Sequence, residues 1–566
     1  MPKIPAKKDR LNATYIVAAP DSNNANRADY QVPIESVNAE QTINQAINDL
    51  PASGGKIILL EGIYTISAPI VLLDNVTIEG FREATTITIP DGLDIDINAI
   101  ENDDTAGGND NLTILNLNIN LNKANQTAGT MNCIRFDVCY NVRIERCRTG
   151  FARNNGIYFQ GGNQLTAIEN RTDNNDNDGI YYGNTDGAGI YQNLSYLNGN
   201  NGIELNALNR PSVVSNNACI QNSVNGIGFF SLTKALITNN ACRNNGDKGI
   251  VSFAGDYSQV NDNVCADNGT HGIDLISSQY CTCNNNNCIS NTNDGIVLDG
   301  TDDTTVANNE ITDNERFGIN IFSSSYNNII GNTVINSSVG TTNTNDNIFV
   351  SGSAGDPAEY NNIQENKVRS GGNARYGINL GSNATNIQCT NNDFRDGGVT
   401  GNFNDTEGNS TTPGNIPNGG ASVSAIGAKV QRTTNVDNIT DFNIVTIDFE
   451  SEIFDTDNMW DSGNADRLTA QTAGYYIVNG VVNFNISPSS TDSWAVLFFR
   501  KNGTIFQQDE FTINDNNEIS YASMSALVQM AAGDYLTFQF APYSVGNDNS
   551  DLLNAKFSAF MIAPTT

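Results

Sequence analysis

Short runs of alternating apolar and polar residues return along the middle of this chain at a fixed interval. NNGIYF (154–159) is followed by NDGIYY, NNGIEL, NGIGFF, KGIVSF, HGIDLI, DGIVLD and FGINIF. The glycine falls at 156, 179, 202, 226, 249, 272, 295 and 318, a period of 23 with a single step of 24. Alternation inside each phrase is strand periodicity, and no unit holds a helical stretch of about ten residues at 3.6-residue spacing. A fixed period of this size marks a solenoid. In a parallel β-helix the coils stack at roughly 4.8 Å, so equivalent residues form columns. Three further columns keep the beat: Cys219, Cys242, Cys265 and Cys288; Asn222, Asn245, Asn268, Asn291 and Asn314; Asn217, Asn240, Asn263, Asn286 and Asn309. Stacked asparagines hydrogen-bond along such a ladder and tolerate the left-handed backbone of tight corners. The beat extends back to Ile134, then stretches forward to Ile348 and Ile378 around two insertions.

An open β-helix end exposes unpaired strand edges and needs a cap. QTINQAINDL (41–50) predicts an amphipathic helix with Ile43, Ala46, Ile47 and Leu50 on one face. The turn at Gly54–Gly55, the strand IILLEG and the later NVTIEG follow. With the 23-residue coils, this passage resembles the pectate-lyase-like superfamily over about 41–400. The resemblance implies a right-handed parallel β-helix. It says little about activity, because that fold hosts lyases, hydrolases, epimerases and inert adhesins.

After a stretch rich in Gly, Asn, Thr and Pro (401–421), the beat is lost and aromatic strand-like runs begin. The order FDTDNMWD, RLTAQTAGYYIVNGVVNF, FFRKNG, AGDYLTFQF and KFSAFMI resembles the C1q/TNF-like jelly roll over 422–566. That resemblance implies an antiparallel sandwich and a homotrimer, with Trp460 and Trp494 as core or interface anchors. The expected organisation is an arm at 1–40, a capped β-helix at 41–400, a linker at 401–421 and the jelly roll at 422–566. The fold class is all-β throughout. Rigid shaft, trimerisation domain and basic N-terminal arm (Lys3, Lys7, Lys8, Arg10) together resemble bacteriophage tailspikes and tail fibres. The arm would bind other phage tail or baseplate proteins.

Composition narrows the partners. With 62 acidic residues against 29 basic ones, the net charge is −33. Such a surface repels phosphate backbones and anionic membranes, so nucleic acid is not an expected partner. No apolar run reaches the ~20 residues of a membrane span, and the N-terminus lacks the apolar core of a secretory signal. The cysteines read as small buried fillers, or alternatively as metal ligands or disulfides; Cys281 and Cys283 lack a second pair at zinc spacing. Reduced thiols fit assembly in a host cytoplasm and residence in a virion tail, an extracellular address being the alternative. No metal or cofactor is expected.

If the isoleucine of each phrase points inward, the next residue and the one two later point outward. These outward columns hold Tyr158, Tyr181, Glu204, Asp274 and Asn320, and then Phe230, Phe253, Asp299 and Phe322. Aromatic rings stack on sugars and carboxylates bind hydroxyls, so Tyr158, Tyr181, Glu204, Phe230, Phe253, Asn320 and Phe322 are candidate substrate-binding residues. Asp274 and Asp299 lie on adjacent coils two positions apart, roughly 8 Å between Cα atoms. Inverting glycosidases hold their carboxyls about 6.5–9.5 Å apart, which makes this pair the candidate general acid and base. The same face would serve equally as a subunit interface. A lyase would need a cation beside a uronate, for which Lys248, Arg316 and Arg375 are candidates. His271, the single histidine, reads as a turn residue. The leading functional reading is a receptor-binding tailspike that recognises bacterial surface polysaccharide, with depolymerisation open. The alternatives are a secreted polysaccharide lyase, hydrolase or epimerase, and a non-enzymatic trimeric adhesin.

Overall fold

Every GI phrase forms a strand whose isoleucine enters the core. Ile157, Ile180, Ile203, Ile227, Ile250, Ile273, Ile296, Ile319, Ile348 and Ile378 pair in one continuous parallel register. All are fully buried. The computed structural model describes residues 13–207, 211–408, 410–416, 426–440, 443–486, 493–513, 519–544 and 550–564. The basic residues of the expected arm, Lys3 to Arg10, lie outside the described residues.

The glycine before each isoleucine is dictated by backbone approach. A Cβ at Gly249 would lie 2.6 Å from the carbonyl oxygen of Gly272 and 2.9 Å from the Cβ of Cys265. The same 2.6 Å approach to the next coil recurs at Gly202, Gly226, Gly272 and Gly295. A Gly249→Ala protein is therefore expected to lose about 1–3 kcal/mol, the cost of overpacking a filled core. A thermal melt against wild type checks it; an unchanged melting temperature would refute the argument.

The cysteine column stacks in register and faces inward, Cys219 on Cys242 on Cys265 on Cys288. All ten cysteines are buried and unpaired. The asparagine ladder forms as expected, with one difference in its cause. The left-handed residue at each corner is the one before the ladder asparagine: Asn216, Asn239, Asp262, Asn285 and Asn308 have φ of 57–60°. The ladder asparagine itself turns inward, and its amide bonds the next coil. Asn240 Nδ2 donates to Asn263 Oδ1 and Asn263 Nδ2 to Asn286 Oδ1, each at 3.0 Å.

The helix Ala39–Asn48 packs Ile43, Ala46 and Ile47 into the solenoid core. Part of the segment read as an arm belongs to the shaft, because Thr14–Ala18 pairs in parallel with Gly55–Leu59. The stretch read as a linker also begins as solenoid: Gly401–Asp405 pairs with Tyr376–Leu380, and Ile416 bridges Asp393.

The chain divides into two compact units, Met1–Gly420 and Ala421–Thr566. The second is an antiparallel sandwich. One sheet runs Ser451–Asp455, Gly427–Arg432, Ser550–Pro564, Gly474–Ile486 and Ile519–Met530. The other runs Val445–Thr446, Tyr535–Ser544, Ser493–Lys501 and Thr504–Ile513. Val478, Val482 and Phe484 of the first meet Leu497, Phe499, Phe538 and Phe540 of the second in one core. Trp460 packs against that core, whereas Trp494 stacks on Tyr543 beside a smaller cluster of Val496, Phe498 and Ala541.

Candidate functional site

The residue before each glycine forms a column of its own. Lys248, His271, Asp294 and Phe317 occupy it on four successive coils, 23 residues apart. Beside it, one strand position past the isoleucine, stands Asp274. The register Val251–Asp274–Val297–Asn320 places it mid-strand with an aliphatic neighbour on either side.

Alternation predicts that this column points outward, and it does so without being open to solvent. Asp274 is only 5% exposed, and Val251 and Val297 are buried with it. The Asp274 Oδ2 lies 3.9 Å from Lys248 Nζ, which also bonds Asp247 at 2.9 Å. The other oxygen, Oδ1, is buried without a hydrogen-bond partner. Burial pushes the Asp274 pKa up to about 7; Lys248 opposes the shift, and Asp299, Asp294 and Asp247 add to it. A carboxyl half-protonated near neutrality with a free oxygen suits proton transfer.

The neighbours are fixed around it. Asp294 accepts from the Phe317 N–H at 3.0 Å and from Asn320 Nδ2 at 3.1 Å, with Arg316 Nε at 3.9 Å. His271 Nδ1 accepts the Asp294 N–H at 3.3 Å, which leaves the proton on Nε2. Burial lowers the His271 pKa, against the pull of Asp294, so the ring is neutral at neutral pH. The site holds two buried acids on successive coils, Asp274 beside Lys248 and Asp294 beside the neutral His271 and Arg316. Among the described residues, no group of three His, Cys, Asp or Glu side chains is placed to hold a metal.

The other residues singled out from sequence are spread along the same face. Asp299 is exposed, in register between Ile276 and Phe322. Burial and Asp356 raise its pKa. Phe253 and Phe322 are exposed and Phe230 is half-buried. Tyr158 and Tyr181 stack at 4.8 Å with planes 7° apart, and Arg135 lies over Tyr158 at 4.9 Å. Glu204 follows Tyr181 in register and accepts from Asn201 and Asn206. Asp178 beside it is pushed up to about 7 by burial and by Glu204. Arg375 is held away from this group by a two-pronged ion pair with the buried Asp346, at 2.8 and 3.0 Å.

A further aromatic row escaped the sequence reading. Tyr257, Tyr280, Tyr326 and Tyr360 are exposed, each at a left-handed corner with φ of 54–59°. They stack in pairs, Tyr257 on Tyr280 at 5.0 Å and Tyr326 on Tyr360 at 5.3 Å. The left-handed region is costly for a bulky residue and open to asparagine, so these rings are not required by the corner. Their signal was the 23-residue step from Tyr257 to Tyr280 and from Asp303 to Tyr326.

Residues 192–335 match the family described as the right-handed β-helix region. Among solved structures, the A-module of mannuronan C-5 epimerase AlgE6 from Azotobacter vinelandii is similar at 16% identity, with a TM-score of 0.40, over 68% of this chain and 96% of that one. Tailspike protein 3 of bacteriophage CBA120 is similar at 14% identity, with a TM-score of 0.40, over 69% of this chain and 60% of that one. The globular domain of a zebrafish complement 1qA protein is matched at 16% identity and a TM-score of 0.18, over 25% of this chain and all of that one. No curated protein sequence matches the chain.

Proposed function

We propose that this protein is a phage tailspike or tail fibre that binds bacterial surface polysaccharide along its β-helix and acts on it chemically at Asp274. The observation that carries the reading is the buried Asp274 carboxyl, with one oxygen unpartnered, 3.9 Å from Lys248. It lies on a shaft face that also presents Phe253, Phe322 and the stacked Tyr158–Tyr181 pair. Asp274 donates its proton to a glycosidic oxygen as general acid. Asp299, one coil on and two positions along, deprotonates the attacking water. Trimerisation through the sandwich and attachment to the tail through the N-terminal residues belong to the same proposal.

A second reading is favoured by the cations. Lys248 and Arg316 would neutralise a uronate carboxylate, which acidifies the adjacent C–H. Asp274 in its ionised form would then remove that proton, giving elimination as the linked sugar leaves with the glycosidic oxygen, or epimerisation if a proton returns to the opposite face.

Purified protein incubated with a panel of capsular and lipopolysaccharide glycans tests both. The expected result is new reducing ends, with an Asp274→Asn protein slower by roughly 10²–10⁴-fold. Ultraviolet absorbance from unsaturated uronates, without hydrolysis, would select the second reading. Turnover unchanged by Asp274→Asn would exclude both.

A further inference from the structure

Five coils before Asp274, at a different edge of the shaft, four arginines meet at one cleft. Its volume is about 560 Å³, within the range of small-ligand sites. Arg82, Arg146, Arg148 and Arg171 line it together with Glu83 and Glu169, over a floor that includes the buried Leu117 and Cys147. The chain has only 29 basic residues against 62 acidic ones, so this convergence is not what its composition would scatter by chance.

The arginines are held in place. Arg148 grips Asp173 with two bonds of 2.8 and 2.9 Å and lies over Phe151 at 5.7 Å. Arg171 bonds the same carboxylate at 2.9 Å. Asp173 is fully buried and its pKa is lowered: burial works against the ionised form, and the two guanidinium groups and Asn174 outweigh it. Arg146 is tied to Glu145 and lies 3.7 Å from Glu169. Yet the side chains of Arg146, Arg148 and Arg171 stay 40%, 29% and 44% exposed, so each keeps N–H groups for a ligand.

Arg82 comes from the opposite wall. The strand Val76–Thr88 breaks register with Asp110–Asn120 on both sides of Arg82, and residues 81–84 bulge out, all exposed. Thr85 closes the bulge by accepting the Phe81 N–H at 3.0 Å. Arg82 sits there with φ of 57°, next to the exposed ring of Phe81. A bulge that re-aims a side chain is a common device beside binding sites.

We propose that this cleft binds a carboxylated sugar residue, a uronate unit of an acidic glycan. The guanidinium groups would take the carboxylate as planar forks, and the Phe81 ring would take the sugar face. This rests on the reading of the shaft as a glycan-binding surface. It adds an anchoring point away from the reacting residues, one that chooses acidic over neutral polymers.

The test uses the full chain and titration calorimetry with an oligouronate of defined length, a neutral oligosaccharide of equal length and inorganic phosphate. Arg82→Gly removes the cation and accepts the left-handed backbone; Arg171→Gln leaves Arg148 to pair Asp173. Each variant is expected to weaken oligouronate binding about tenfold, while Thr292→Ala, at an exposed position with no part in either site, leaves it unchanged. Binding should weaken as salt rises. Equal affinity in wild type and both arginine variants would overturn the proposal. So would phosphate or the neutral oligomer binding as tightly as the oligouronate. Loss of turnover in Asp274→Asn with no effect of the arginine variants would sink this site alone. Binding lost in the arginine variants with no turnover of any glycan would keep the cleft and sink the catalytic reading.

Discussion

Replacing Asn263 with alanine is expected to cost about 3–6 kcal/mol of shaft stability. Its amide closes five hydrogen bonds inside a dry column. Nδ2 donates to the carbonyls of Ile237 and Asn261, both at 2.9 Å, and to Asn286 Oδ1 at 3.0 Å. Oδ1 accepts the backbone N–H of Asn240 at 2.9 Å and its Nδ2 at 3.0 Å. Asn263 is 1% exposed. Alanine would leave the Asn240 N–H and the Ile237 carbonyl facing a void, at roughly 1–3 kcal/mol for each orphaned group. The small cavity adds to this. Thr292→Ala, at an exposed position on a neighbouring coil, is the control and should change stability by less than about 0.5 kcal/mol. Melts must resolve the solenoid from the sandwich, because two units need not unfold together. If Asn263→Ala and Thr292→Ala melted alike, the ladder would be decoration and the core alone would hold the coils.

The second large effect is a dependence on pH. Asp178 and Asp274 both titrate near 7 in the folded chain, against 3.8 when free of the fold. Between those values the native state keeps protons that the unfolded chain has released, so stability falls as pH rises. The contribution is whole below about pH 4 and is lost by about pH 7, on the order of 4 kcal/mol for each group. Asp274→Asn removes one of the two groups without changing its shape. Its melting temperature should exceed that of wild type by several degrees at pH 8 and match it at pH 4. An equal difference at both values would mean that packing, not ionisation, distinguishes the two proteins. The same variant would therefore gain stability where it loses turnover, a trade expected of a buried acid kept for chemistry.

The shaft was legible because one signal was repeated. A 23-residue step and inward isoleucines fix register, and register fixes every neighbour along a column. Asp274 was legible as a residue and not as an environment. Alternation tells which way a side chain points; it does not tell what leans over it, and here the flanking side chains leave the carboxylate nearly dry. Lys248, His271 and Asp294 stood in plain view as the letters before successive GI phrases. Read one at a time, Lys248 looked like a lyase candidate and His271 like a turn residue, and Asp294 drew no reading at all. Stacking turns them into one group. The tyrosines at the corners were missed because aromatic columns were sought only in strands, while the corners were read for asparagine alone. Arg82 was beyond reach, since it depends on a register shift that no periodicity announces.

The close packing of glycine against the next coil bears on chemical ageing. Asn155, Asn198, Asn201, Asn225, Asn245 and Asn268 each precede a glycine, and all are buried. In a loose chain that pair deamidates readily, because the glycine nitrogen swings round to attack the side-chain carbonyl. Here that nitrogen is occupied. Gly199, Gly246 and Gly269 donate to carbonyls of the preceding coil at 2.8 Å. Gly156, Gly202 and Gly226 donate to the following coil at 2.9–3.1 Å. Asparagine is among the least durable side chains in hot or long-lived proteins. In this solenoid the coils that need it also disarm its decay, so covalent damage should begin at frayed coils and mark the order in which they open.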